Sequence, residues 1–195
     1  LGRKFCAHRI WGAGGSVKEF IKNFKDGQPW YKAGPESVGN GALMRIAPIV
    51  LPYLRNPHPS MYADAAIATM ITHNDFANNA TSVAFVHMLW ELLGMDSPPE
   101  PAWWIDTYCS VTRELEGNTR YHYTNAAFGE YSGPLWHFVS NVCRDALKKG
   151  LTVEEACSSW WSVDSIVNIF ETVPSVLYIL AAYADDPEEA IIRAV

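Results

Sequence analysis

Gly39-Asn40-Gly41 runs straight into Ala42-Leu43-Met44-Arg45-Ile46-Ala47-Pro48, a small-residue turn followed by what reads as the first turn of an apolar helix. Two glycines around an Asn let the backbone take left-handed conformations and come close to a ligand. A turn that feeds a helix start is also an anion site, because free N–H groups and the positive end of the helix dipole point the same way. A Gly-Asn-Gly turn that merely caps a helix has the same letters. Arg45 carries the fork of donors that grips a phosphate, and inside an apolar run it equally suits a buried ion pair. Met44 reads as pocket wall or core. His73, in Thr72-His73-Asn74-Asp75, stands at the junction of two helices, where its imidazole either faces a pocket or hydrogen-bonds a carbonyl. Glu171 precedes Thr172-Val173-Pro174 in an apolar helix, where a carboxylate needs a partner or a shifted pKa. The expectation there is hydrogen bonds to a neighbouring loop, with Pro174 kinking the helix and freeing a carbonyl. His122, between Tyr121 and Tyr123, suits a pocket rim or an ordinary loop.

The elements that must position these residues are helical. Ser16 with Glu19 spells a capping box ahead of Val17, Phe20, Ile21 and Phe24 on one face. Pro29–Ser37 reads as a polar loop, and the helix after the turn reaches about Leu54, shortened or kinked by Pro48 and Pro52. Ser60 opens a helix through Ile71. Asn74 caps a long one to Leu93, closed by Gly94. Pro101 suits the first turn of a helix ending near Gly117, and Ser132-Gly133-Pro134 introduces another that stops at Gly150. Thr152 with Glu155 is a second box, Val163–Ala184 a buried helix, and Asp186-Pro187-Glu188-Glu189 a third box opening the last helix. No strand-like alternation or internal repeat stands out. The fold expected is all-α, eight or nine helices around one core in a single domain.

The string Gly39–Pro48 resembles the signature of the ADP-ribosylglycohydrolase family, Gly-Asn-Gly-x-x-Met-Arg-x-Ala-Pro. The approach Gly34-Pro35-Glu36-Ser37-Val38, the Thr72-His73 pair and the Glu171–Pro174 helix follow in the family's order. The resemblance implies an orthogonal multi-helix domain and a hydrolase that cleaves the glycosidic bond between ADP-ribose and a modified side chain or small molecule. It places Gly39, Asn40, Gly41, Ala42, Met44, Arg45 and His73 around ADP-ribose, while the two flexible residues beside an apolar helix start put the turn at the mouth of the largest cleft. It also implies two magnesium ions held by an early Thr-Asp-Asp and a late Asp-x-Asp-Thr motif, hard oxygen clusters of the kind magnesium requires. Neither motif occurs in the sequence; the adjacent pair Asp185-Asp186 reads as a helix cap. The expectation is therefore the middle of the family's fold without its metal-binding ends, and no metal ligands among these residues.

With 195 residues, 49% of them hydrophobic and 18% charged, the chain is a globular domain large enough to bury a core. A net charge of −6 argues against the basic face that sequence-independent nucleic-acid binding needs, though not against a small phosphate-bearing ligand. The most apolar window, Val163–Ala184, carries Asp164, Asn168, Glu171 and Pro174, too polar for a membrane span. The start, Leu1-Gly2-Arg3-Lys4-Phe5, has no apolar signal segment. Cys6, Cys109, Cys143 and Cys157 show no Cys-x-x-Cys spacing and read as reduced thiols of a cytoplasmic protein. Two functions fit: a magnesium-dependent hydrolase whose missing ends lie in a longer chain, or a truncated or degenerate relative that binds ADP-ribose or offers a helical surface without catalysis.

Overall fold

The computed structural model describes residues 13–125, 127, 129–162 and 168–195. They form nine α-helices: α1 (Gly15–Lys25), α2 (Trp30–Ala33), α3 (Ser60–Met70), α4 (Phe76–Leu92), α5 (Pro101–Glu116), α6 (Leu135–Lys149), α7 (Val153–Trp160), α8 (Ile169–Tyr183) and α9 (Pro187–Arg193). The fold is all-α apart from one small hairpin.

Small residues decide the centre. Ala77, Ala80, Thr81, Ser82 and Ala84 leave α4 thin enough to be buried nearly all round, and it packs between α3 and α5. On one side lies the larger apolar cluster, with Tyr108 of α5, Phe138 of α6, Trp160 of α7 and Phe170 and Leu177 of α8. On the other lies a smaller one of Ile46, Val50, Met61, Ala65 and Val86, and Phe85 touches both. The single expected core is thus two, divided by one helix.

Several boundaries differ from expectation, each for a local reason. Ser16 caps nothing: α1 starts at Gly15, and the Ser16 hydroxyl instead meets the Ser37 hydroxyl at 2.8 Å. The Pro29–Ser37 loop contains α2. The segment after the turn is not an α-helix but two 3-10 helices, Asn40–Arg45 and Ala47–Tyr53, with Pro48 and Pro52 in the second, where the missing N–H groups rule out regular i→i−4 bonding. The cap of α4 is Asp75, whose carboxylate accepts from Asn78 N, while Asn74 N donates back to Pro35 O at 2.8 Å. The last long helix begins at Ile169 with Asn168 as its cap; the earlier part of the expected Val163 start lies outside the described residues, as does Cys6.

The hairpin is the element that helical periodicity missed. Tyr121–Asn125 (β1) pairs antiparallel with Gly129–Gly133 (β2), Tyr123 opposite Tyr131. Tyr123 stacks on Phe170 with ring centroids 5.0 Å apart, and Tyr131 lies 5.1 Å from Phe138, so aromatic packing against α6 and α8 holds a ribbon too short to stand alone. Glu116 fastens the next element: its buried carboxylate accepts from Leu135 N at 2.6 Å and Trp136 N at 3.0 Å, capping α6 from another helix. Burial raises its pKa.

The box at α7 is present in full, with Thr152 Oγ1 accepting from Glu155 N and Glu155 accepting from Thr152 N at 2.9 Å. Thr152→Ala should therefore cost about 1 kcal/mol in a urea titration. An unchanged midpoint would mean that α7 is held by Trp160 and Ala156 alone. Cys109 and Cys143 are free thiols that burial pushes up, Cys109 to about 11; they are packing residues rather than nucleophiles.

Candidate functional site

The turn is built by long-range hydrogen bonds, not by its own letters. Asn78, fully buried on α4, donates through Nδ2 to Ser37 O at 2.7 Å and Gly39 O at 3.1 Å. From the far end of the chain, Ile169 N donates to Val38 O at 2.9 Å, and Gly39 bridges to Asn168. Asn40 Nδ2 donates to Thr172 Oγ1 at 3.0 Å. The Gly39–Gly41 segment is thereby clamped between the starts of α4 and α8.

His73 stands against this clamp. A Cβ on Gly41 would lie 3.1 Å from His73 Cε1, and one on Gly39 3.3 Å from His73 Nε2. The expected reason for the glycines is corrected: Gly39 has φ −64, and Gly41 is not among the positive-φ glycines. What the glycines provide is room for the imidazole, which a side chain at either position would press by a few tenths of an ångström. A six-residue 3-10 helix also has a weak dipole, so backbone access rather than the macrodipole is what this turn offers an anion.

The other expected site residues divide. Ala42 is buried, with only its backbone left to meet a ligand, and Met44 projects outward at 81% exposure, neither core nor the wall of a closed pocket. Arg45 finds no carboxylate among the described residues. It donates through Nη2 to Ala68 O at 3.1 Å and to Thr72 Oγ1, a cation set at the C-terminal end of α3. Thr72 Oγ1 in turn meets His73 Nδ1 at 2.9 Å. The His73 side chain is buried, and its pKa falls to about 4, first by desolvation and then by the positive charge of Arg45. Asp75, also buried, is raised by burial despite the 2.7 Å bond from Tyr121 Oη.

Glu171 takes its expected structural part: its carboxylate accepts from Ser162 N at 3.0 Å and Tyr123 Oη at 3.3 Å. His122 faces solvent on β1, 3.8 Å from Glu130. Thr72, Asn78 and Asp75 went unread as site residues. Asn78 carried the clearest signal, an amide pair Asn78-Asn79 in the first turn of a long helix.

One sizeable cavity lies away from the turn. At about 560 Å³, it opens at the opposite end of α4, between α8 and α9, walled by Leu92, Trp104, Ile179, Tyr183 and Ile191. Its lining is mainly apolar, with Asp96 and Ser97 at its edge, and lacks the cluster of basic or backbone donors that a diphosphate needs. No cluster of three or more His, Cys, Asp or Glu side chains able to hold a metal ion occurs among the described residues. No helix among them is long and apolar enough to cross a membrane.

No curated protein and no solved structure matches the chain. A family model described as ADP-ribosylglycohydrolase matches residues 3–195. That match spans nearly the whole sequence and takes in the clamped Gly39–Gly41 turn, Arg45 and His73 together, so the chain belongs to the ADP-ribosylglycohydrolase family.

Proposed function

We propose that these residues form the nucleotide-holding part of a hydrolase that releases ADP-ribose from a modified side chain or small molecule. The observation that carries the reading is the contact between the Gly39–Gly41 backbone and the His73 ring, two segments that the fold brings together from either side of α3. A backbone stripped of side chains and held by Asn78 and Thr172 presents its remaining N–H groups at fixed positions, which suits the oxygens of a diphosphate. Ala42 contributes only backbone, Asn40 holds the turn through Thr172, and Arg45 adds positive charge beside His73. Met44, exposed next to the turn, is free to cover a bound nucleotide. The family chemistry supposes two magnesium ions; the described residues do not fit them, since they bring together no set of ligands. What the described residues supply is holding and orientation of ADP-ribose.

Titration of this chain with ADP-ribose, read by melting temperature, tests the reading. A site without its metal half, with roughly millimolar affinity, adds about 1 kcal/mol at a few millimolar ligand, a rise of about 2–4 °C for a domain of this size. Gly41→Val should erase the rise, because its branched side chain would have to displace the His73 ring, already 3.1 Å from the first added carbon. A rise that survives Gly41→Val places the nucleotide elsewhere. No rise at all in the unaltered chain favours the other reading, a helical interaction module.

A further inference from the structure

We infer that Thr72, polarised by Arg45, is a positioning residue that fixes His73 in the tautomer carrying its proton on Nε2, so that the ring presents an N–H donor to the Gly39–Gly41 turn. The inference follows from counting protons. Arg45 has donors only, and its Nη2 reaches both Ala68 O and Thr72 Oγ1. Thr72 Oγ1 therefore accepts from Arg45 and has one proton of its own to give. In a helix that proton commonly goes to the carbonyl four residues back, as Thr69 and Thr112 do toward Ala65 O and Tyr108 O. Thr72 lies beyond the last turn of α3, and its hydroxyl makes no such bond to Ala68 O, which accepts from Arg45 instead. The one acceptor left within reach of the hydroxyl, among the described residues, is His73 Nδ1 at 2.9 Å.

A ring nitrogen that accepts is not protonated, so in the neutral imidazole the proton sits on the other nitrogen. That nitrogen is the one nearest the positions where side chains on Gly39 and Gly41 would stand, 3.3 Å from each. The direction of the hydrogen bonds thus runs from Arg45 through Thr72 and His73 toward the turn, and each donor polarises the next. Resting on the functional reading above, the group that meets this N–H is an acceptor, a phosphate or ribose oxygen of ADP-ribose. A ring in the opposite tautomer would offer a lone pair there and repel the same oxygen. Arg45 then acts on the ligand through Thr72 rather than by gripping a phosphate itself.

The test reads the tautomer directly. Long-range proton–nitrogen correlation spectra of this chain with labelled histidine, without ligand at neutral pH, should show His73 with Nε2 protonated and Nδ1 bare. Thr72→Val removes the hydroxyl at nearly the same shape; it should give the Nδ1-protonated form or a mixture, and weaken ADP-ribose about tenfold. Thr72→Ser should restore both the tautomer and the affinity. His73 found with Nδ1 protonated in the unaltered chain overturns the inference, and so does an unchanged tautomer in Thr72→Val. The unaltered spectrum decides the matter even if Thr72→Val fails to fold. The expected tautomer together with no response to ADP-ribose would leave the hydrogen-bond relay standing and overturn the functional reading instead.

Discussion

Gly34→Ala should destabilise the chain by about 3 kcal/mol, and a single methyl group should do it. Gly34 has φ −67 and ψ 128, a conformation alanine adopts freely, so backbone strain is not the cause. The cause is where the added carbon would stand: inside contact distance of Met70 O and 2.9 Å from Ile71 O, both carbonyls at the end of α3. Neither can swing aside as a side chain does. The loop would have to lift, and the bond from Asn74 N to Pro35 O and those from Asn78 to Ser37 O and Gly39 O would lift with it. In a chain of this length the loss corresponds to a melting point lower by about 6–12 °C. Gly15→Ala, with nothing near the added carbon at the first residue of α1, is the control, and should be neutral or slightly stabilising. Equal melting points for the two variants would mean that the loop does not press on α3 as closely as the structure shows.

The same loop shows what could be read from the letters. Cap chemistry is local, so Thr152 with Glu155 and the stop at Gly150 were legible. Asp75 in place of Asn74 was not, because adjacent residues offer the same acceptor and the choice falls to Pro35, which takes the Asn74 N–H. The two glycines of the turn were legible as important, but for the wrong reason. They suggested a left-handed backbone, whereas the requirement comes from an imidazole more than thirty positions later in the chain. Such a requirement is non-local and leaves no periodicity. It became visible only through the family resemblance, which set Thr72-His73 beside the turn.

The hairpin failed for a related cause. In Tyr121-His122-Tyr123-Thr124-Asn125 the inward residues do alternate, but over five positions the pattern is too brief to outweigh a helical background, and its partner is bounded by Gly129 and Gly133. What makes it a ribbon is Phe138 and Phe170 beneath it, the first on the helix that follows it and the second on a helix far along the chain. The 3-10 segments, by contrast, were half legible: Pro48 and Pro52 announced a disturbed helix without saying that regular α-geometry would be lost throughout.

Acid should destabilise the chain through His73. Desolvation, with the charge of Arg45 beside it, holds the folded-state pKa at about 4 against 6.5 in the unfolded chain. Below 6.5 the unfolded state takes up a proton that the folded state refuses. The stabilisation is therefore complete above 6.5, shrinks as pH falls, and is gone once pH passes below about 4. The difference amounts to roughly 3 kcal/mol, on the order of 1.4 per tenfold change in proton affinity. Asp75 and Glu116 act in the opposite sense. Burial raises both, so each adds stability as pH falls from its folded pKa toward its unfolded one. A single acid titration would blend the three. The comparison that isolates the histidine is the unaltered chain against His73→Gln, which keeps an amide donor and acceptor but does not titrate. Urea unfolding at pH 7 and pH 4.5 should show the unaltered chain losing more stability than the variant, by most of that 3 kcal/mol. Parallel losses would mean that His73 already carries a proton in the folded state at pH 4.5, and that the ring is neither as dry nor as close to Arg45 as its hydrogen bond to Thr72 requires.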